Sequence, residues 1–260
     1  MKRSPGAIPL LSERWPQVSK RIRKKRRVLV FLDFDGTLAA IAKRPDRVVV
    51  RPAMRRTLRQ LARHKRATVA VISGRRRAEL QRYLAIPKLH HLGLYGWERN
   101  GKEKIPASAR VVLFRAHVLL LTELSGYPGV WIEPKRNSFS VHLMNAKPSA
   151  QRRARTAVRG MLRRFGNSLQ LFENLRDMEV MPARLPDKGA AVRELLGRRN
   201  FRGALAFFFG DDLSDEPAFA AVRDGVSVLV GKPRKTRARF RLRNPQEVAV
   251  ALKRLEEELT

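Results

Sequence analysis

The amino-acid sequence predicts an α/β protein: a doubly wound parallel-sheet core into which a small α/β cap domain is inserted. Three observations support this fold class. Short apolar runs, typical of strands buried on both faces of a parallel sheet, occur at Val28–Leu32, 68–72 and 205–209. Helical patterns separate the runs, as in βαβ units. Between the second and third runs, the pattern changes to paired strands around a helix.

The core elements follow in order along the chain. Pro52 opens a helical pattern with Met54, Leu58 and Leu61 on one side. Asp187 is a candidate N-cap for a helix over residues 188–196. The remaining predictions are a helix at Arg77–Leu84, a strand at 92–95, a helix at 216–222, a strand at Val226–Val230 and an amphipathic helix at Pro245–Leu259.

The inserted segment, residues 107–182, is predicted to form a unit of its own. It begins with a long apolar helix over residues 109–124. Strands at 130–133 and 139–143 form one predicted hairpin, and strands at 169–172 and 178–180 form another. Ser149 is the predicted cap of a basic helix that ends near Gly166. We therefore expect a basic N-terminal arm at 1–27, core at 28–106, cap at 107–182 and core again at 183–260.

The charge of the chain is strongly positive. Fifty-six Lys and Arg residues face 23 Asp and Glu residues, which leaves +33 over 260 residues. Such a surface attracts anions, including phosphorylated metabolites and nucleic acid. However, the basic residues are scattered, and the one dense block, residues 20–27, lacks the interleaved aromatic residues of a stacking platform. We read this block as a solvated arm and do not expect nucleic acid as a partner.

Targeting signals are not evident in the sequence. No apolar run has the length of a membrane-spanning helix, and the apolar segment 7–11 is too short for a signal peptide. Cysteine is absent, which excludes disulfides and thiolate metal sites. We expect a cytoplasmic protein with no membrane partner, and a monomer, although oligomeric state is left open.

Polar clusters follow three of the apolar runs at the point where each run ends. The first cluster contains Asp33, Asp35 and Thr37, the second Ser73, Gly74 and Arg75, and the third Asp211, Asp212 and Asp215. In an open parallel sheet, ligands bind at the carboxyl ends of the strands. If the three strands are neighbours, the clusters converge on one site.

The chemistry of such a site follows from its carboxylates. Several like charges at short range require compensation, and a hard divalent cation with oxygen ligands, Mg²⁺, supplies it. A carboxylate can attack phosphorus and divide hydrolysis into two easier steps. Ser73 offers a hydroxyl donor and Lys188 a positive charge for the phosphoryl oxygens. The combination indicates a phosphatase.

These residues resemble the motifs of haloacid-dehalogenase-like phosphatases, which have a Rossmann-like core. The segment 33–37, DFDGT, looks like their DxDGT signature, and Ser73, Lys188 and Asp211 fall where the later motifs fall. The resemblance implies that Asp33 is the nucleophile and a magnesium ligand. It also implies the following roles: Asp35 as general acid and base and a backbone ligand; Thr37 and Ser73 in phosphate positioning; Lys188 in charge stabilisation; Asp211 as a ligand; Asp212 and Asp215 as ligands or their neighbours.

Other segments resemble the trehalose-6-phosphate phosphatases in particular. These are GDDLSDE at 210–216, VISGR at 71–75, DKG at 187–189 and GLYGWE at 93–98, where Tyr95 replaces a usual histidine. In the cap, Lys135, Ser138 and His142 keep the spacing of a KGxSxxxHYR stretch, and Glu179 precedes the position of an arginine that is Met181 here. The resemblance implies that these four cap residues hold sugar hydroxyls, while Ser73, Gly74 and Arg75 contact the substrate at the core.

Trehalose 6-phosphate is therefore the expected substrate, with Mg²⁺ as cofactor. Three alternatives stay open at this point. One is a phosphatase for another phosphorylated sugar, such as mannosyl- or glucosyl-3-phosphoglycerate. The others are a phosphomutase, which must keep water from the aspartyl-phosphate, and a basic nucleic-acid-binding protein without catalysis.

Overall fold

A computed structural model describes residues 8–42, 47–99, 105–135, 137–183 and 185–260. The chain forms two compact units. The first comprises residues 1–102 and 186–260, and the second comprises residues 103–185. The predicted α/β fold with an inserted α/β domain is confirmed.

The first unit is built on a six-stranded parallel sheet in the order β10-β9-β8-β1-β2-β3. The strands are β1 (Val28–Leu32), β2 (Ala67–Ile72), β3 (His90–Leu92), β8 (Leu205–Gly210), β9 (Val226–Val230) and β10 (Phe240–Leu242). From β1, the chain winds outward through β2 and β3, and later through β8, β9 and β10 on the other side. The winding therefore reverses between β1 and β8, which is the position where ligands bind in doubly wound sheets.

Helices cover both faces of this sheet. They are α1 (Trp15–Arg23), α2 (Pro52–Arg63), α3 (Arg77–Leu84), α6 (Lys188–Gly197), α7 (Glu216–Ala221) and α8 (Pro245–Leu259). Val28, Val30 and Leu32 pack into an apolar cluster with residues of α1, α2, α3 and α8. Leu29 and Phe31 point the other way and pack with α6 and α7. Successive side chains of β1 point to opposite faces of the sheet, and helices cover both faces, so every residue of this strand is apolar.

The second unit is a four-stranded antiparallel sheet with two helices. Its strands have the order β4-β5-β7-β6, and both predicted hairpins are present. The elements are α4 (Ala107–Leu124), β4 (Trp131–Pro134), β5 (Phe139–His142), α5 (Pro148–Arg163), β6 (Leu169–Glu173) and β7 (Asp177–Pro182). Phe139 and Val141 pack with α4 and α5, so the helices cover one face of the sheet.

The described residues 8–27 do not form an arm, because they include a helix that packs on the core, although most basic residues of the block are solvent-exposed as expected. Residues 15–23 form α1, in which Val18 and Ile22 are buried against the core. The basic residues of the block occupy the outer side of this helix and the turn after it, and Arg23 pairs with Glu258 of α8 at 2.8 Å. The charge run contains a helical period, because Val18 and Ile22 are four positions apart and therefore lie on one side of α1.

Two smaller predictions also require correction, and one strand was not predicted. The third strand is His90–Leu92 rather than 92–95, because Leu94 and Tyr95 adopt positive φ angles of 46° and 58° that no strand permits. Helix α5 begins at Pro148 after Lys147, so Ser149 lies inside the helix and is not its cap. Strand β10 is not anticipated by the sequence pattern, because its three residues include Arg241.

Candidate active site

The carboxyl ends of β1, β2 and β8 lie at one edge of the sheet. Leu32 is in register with Val71 of β2 and with Phe209 of β8. Asp33 continues directly from β1, and its backbone N–H donates to the Phe209 carbonyl at 2.9 Å. The predicted convergence of the three strand-end clusters is therefore present in the fold.

Asp33, Asp211 and Asp215 form a compact cluster of carboxylates. One oxygen atom of each lies within 4.8 Å of the others, and all three residues are buried. Gly36 allows this approach, because its φ of +85° and its missing side chain leave room for the Asp211 carboxylate, which a Cβ would overlap. Buried oxygen ligands at this spacing are suited to a hard divalent cation.

Lys188 supplies the positive charge inside this cluster. Its ammonium group donates to Asp33 Oδ1 at 2.6 Å and to Asp215 Oδ1 at 2.7 Å, and the residue is only 2% exposed. Helix α6 presents it from the first position, and the Asp187 side chain caps that helix by accepting from the Ala190 N–H at 2.6 Å. The predicted cap at Asp187 is thus present, and it fixes the position of the lysine.

Burial and charge shift the pKa values of this pair in the same direction. Burial alone disfavours the Lys188 ammonium, but Asp215 and Asp33 outweigh it and raise the pKa of Lys188 above its ordinary value. Burial also raises the pKa of Asp33 to about 7; Lys188 opposes this rise, and Asp215 and Asp35 add to it. The pKa of Lys188 rises because two carboxylates share one ammonium, whereas the pKa of Asp33 rises chiefly because the carboxyl group is buried. A divalent cation would favour the ionised form of Asp33.

Asp35 lies outside the carboxylate cluster and pairs with Arg75. The guanidinium donates from Nε and Nη2 to the two oxygens of Asp35, each at 2.7 Å. Arg75 is buried and lies 5.3 Å from the ring centroids of both Phe34 and Tyr83. The sequence predicted a substrate contact for Arg75 and did not predict this pair. Asp35 and Arg75 are 40 positions apart, and no local sequence pattern indicates a contact at that separation.

The other predicted core residues line the same strand ends. Thr37 and Ser73 are buried, and Thr37 Oγ1 has no hydrogen-bond partner among the residues that the structure describes. Gly74 lies against the ring of Tyr95, whose hydroxyl would be 2.9 Å from an added Cβ. Asp212 accepts from the Leu213 N–H at 2.6 Å and caps the turn at 213–215. The Asp212 carboxylate is not one of the three in the cluster, and its assignment as a metal ligand or as a neighbour of the ligands stays a prediction.

The second unit carries the four predicted cap residues on the sheet face opposite α4 and α5. Lys135 Nζ donates to Glu179 Oε2 at 2.8 Å, and both side chains are largely buried. Burial lowers the pKa of Lys135, but Glu179 reverses this and holds the pKa above its usual value. Ser140, which strand alternation places on the same face, also donates to Glu179, although the sequence analysis missed it.

Two polar atoms of this face are buried without a hydrogen-bond partner in the described part of the chain. They are Ser138 Oγ and Glu179 Oε1, and each residue is about 1% exposed. His142 contacts Glu133, with 2.8 Å between Nε2 and Oε2. Since buried polar groups normally have partners, this face is suited to a ligand that donates and accepts hydrogen bonds.

Comparisons with known proteins agree with the fold. The chain is similar to a haloacid dehalogenase-like hydrolase from Bacteroides thetaiotaomicron, with a TM-score of 0.61, 16% identity, and coverage of 88% of this chain and 99% of that one. It is also similar to the trehalose-6-phosphate phosphatase C-terminal domain of Candida albicans, with a TM-score of 0.83, 20% identity, and coverage of 98% and 99%. At these identities the likeness shows the fold, which is that of the haloacid dehalogenase-like hydrolases.

The family is given by the sequence comparisons. The family model described as trehalose-phosphatase matches residues 31–246. A curated relative, the probable trehalose-phosphate phosphatase 9 of Oryza sativa subsp. japonica, is 32% identical over 89% of this chain and 70% of its own length. The chain belongs to the trehalose-phosphatase family and is a phosphoric monoester hydrolase.

Among the described residues, no helix has the length and apolarity needed to cross a membrane.

Proposed function

We propose that the protein hydrolyses trehalose 6-phosphate to trehalose and phosphate through an aspartyl-phosphate on Asp33, with Mg²⁺ as cofactor. The observation that carries the proposal is the meeting of Asp33, Asp211 and Lys188 at the switch point of the sheet. Membership of the trehalose-phosphatase family supports the substrate.

The metal site would use the carboxylates of Asp33, Asp211 and Asp215, which fit a hard cation by donor type and spacing. A carbonyl oxygen at Asp35 is the further ligand that the family resemblance implies. The bound cation would supply positive charge that offsets the excess of carboxylates over ammonium in the cluster. The assignment of Mg²⁺ in particular rests on the fact that all the donor atoms are oxygens.

The residues of the chain divide the reaction between them. The Asp33 carboxylate attacks phosphorus, and the bond from phosphorus to the sugar oxygen breaks. Protonated Asp35 gives its proton to that oxygen. The resulting carboxylate, the form that Arg75 holds, takes a proton from the water that attacks the aspartyl-phosphate and releases phosphate. Lys188 stabilises the charge on the phosphoryl oxygens, and Thr37 and Ser73 donate hydrogen bonds to them.

Arg75 has a positioning role in this scheme, because its two hydrogen bonds hold the Asp35 carboxylate. The cap residues Lys135, Ser138, His142 and Glu179 bind the sugar hydroxyls. Ser138 and Glu179 support this assignment, because each has a buried oxygen atom without a partner among the described residues.

The test is phosphate release from a panel of sugar phosphates, with Mg²⁺ and after its removal by EDTA. We expect preference for trehalose 6-phosphate, loss of activity in EDTA and recovery with Mg²⁺. Asp33→Asn removes the nucleophile and is expected to lower kcat by at least about 10³-fold. Asp224→Asn, at an exposed position on the same unit, is the matched control and retains activity. Strong turnover by Asp33→Asn would remove Asp33 from the role of nucleophile, and preference for a glycerate ester would reject the substrate.

A further inference from the structure

Trp131 is an exposed aromatic residue on the polar face of the cap sheet. It begins β4 and is 40% exposed. Its register partner is His142 of β5, and the next partners on the same face are Glu133 and Ser140. Alternation therefore places Trp131 on the face that carries Lys135 and Glu179, opposite the helices of the unit.

One side of the indole ring is already occupied. The imidazole of His142 stacks on it, with 4.0 Å between ring centroids and 17° between planes. His142 is in turn held by Glu133. The indole is thus fixed in orientation by its neighbours, while two-fifths of the residue stays accessible. An ordered and partly exposed tryptophan offers a flat apolar surface at low entropic cost.

The rest of the face is suited to a polyhydroxylated ligand. Ser138 Oγ and Glu179 Oε1 are buried and have no hydrogen-bond partner in the part of the chain that the structure describes. Lys135 adds a buried donor beside them. Binding sites of this kind combine an apolar or aromatic surface with a few placed polar groups. A sugar ring matches both, because its hydroxyls lie around the edge and its C–H groups lie on the faces.

We propose that Trp131 is a specificity-determining residue, a platform against which a sugar ring of the substrate packs its C–H face. The proposal rests on the proposed function, since it assumes a sugar phosphate as substrate. The proposed stacking contact adds to the hydrogen bonds that the cap residues make with the sugar hydroxyls. A substrate without a sugar gains nothing from this contact.

The test compares Trp131→Ala with the wild type on trehalose 6-phosphate and on 4-nitrophenyl phosphate, which has no sugar. Loss of a contact made equally in the ground and transition states raises KM and leaves kcat unchanged. We expect KM for trehalose 6-phosphate to rise about tenfold, equivalent to about 1.4 kcal/mol. Kinetics on 4-nitrophenyl phosphate stay at the wild-type values, and Trp131→Phe restores most of the lost affinity.

Phe114→Ala is the matched control, because Phe114 is an exposed aromatic residue of α4 in the same unit and α4 covers the opposite sheet face. It is expected to leave both KM values unchanged. An unchanged KM for the sugar phosphate in Trp131→Ala would overturn the inference and leave the proposed function standing. Equal losses on both substrates would also overturn it, since they indicate structural damage. If the wild type prefers another sugar phosphate, that substrate replaces trehalose 6-phosphate in the same comparison.

Discussion

Lys188 is the residue on which the charge balance of the strand-end cluster depends. It is the partner of two buried carboxylates, Asp33 and Asp215, and it is itself almost fully buried. Removing one partner of a buried ionic group leaves uncompensated charge, which costs far more than the loss of a surface ion pair. Lys188 is therefore expected to stabilise the fold in addition to the catalytic role proposed for it.

We predict that Lys188→Met lowers the free energy of unfolding by about 3 kcal/mol in the absence of divalent cations. Added Mg²⁺ is expected to restore more stability to this variant than to the wild type, because the cation replaces the missing charge. Urea unfolding with and without Mg²⁺ measures both effects. Equal stability of the two proteins without Mg²⁺ would show that protonation, not the lysine, neutralises the carboxylates.

Tyr95 shows at the same scale how a departure from a family pattern is accommodated. It stands where the family resemblance implies a histidine, and its phenol lies against Gly74 of the second cluster. Glu98 of the same segment accepts from the Arg77 N–H at 2.7 Å, at the start of α3. The segment at 93–98 thus supports the loop that carries Ser73, which the sequence pattern alone did not reveal.

At the scale of elements, α1 changes the interpretation of the basic N-terminal block. Its inner side contributes Val18 and Ile22 to the core, and it packs against α8 at the other end of the chain. Arg66 adds to this contact by donating to the backbone carbonyl of Leu259 in α8 at 3.0 Å and to that of Ile22 in α1 at 3.4 Å. Helix α1 is therefore part of the first unit.

We predict that Ile22→Ala destabilises the protein by about 3 kcal/mol, because it removes a fully buried side chain and leaves a cavity. Lys20→Ala, on the exposed side of the same helix, changes the free energy of unfolding by less than about 0.5 kcal/mol. Chemical denaturation of both variants gives the comparison. Similar small effects in both would indicate that α1 does not pack on the core.

At the scale of the whole molecule, stability depends on pH through buried groups. His91 lies in β3, and its Nε2 is buried with no hydrogen-bond partner among the described residues. Burial, and then the charges of Arg77 and His90, lower the pKa of His91 to about 4. An unfolded histidine titrates near 6.5, so the unfolded state binds more protons between these values. Stability from the neutral imidazole is complete above about pH 6.5 and is lost as the pH falls through about 4.

We predict that His91→Gln reduces the loss of stability between pH 7 and pH 4.5, because glutamine has no proton to bind. Urea unfolding of both proteins at several pH values isolates the effect, since the other titrating groups are common to the pair. The difference in unfolding free energy between wild type and variant is expected to shrink as the pH falls. A difference independent of pH would show that His91 does not contribute to acid sensitivity.

The sequence by itself determined the layers, the insertion and the chemistry of the strand ends. Runs such as Val28–Leu32 are apolar at every position because both faces of the sheet are covered. A carboxylate that directly follows such a run therefore lies at the edge of the sheet where the strand ends. Local patterns carry this information. Only the tertiary structure decided the pairing of Arg75 with Asp35, the joining of Lys188 to two carboxylates, the docking of α1, and the stack of Trp131 on His142. Each of these depends on side-chain contacts between separate segments, which no local pattern records.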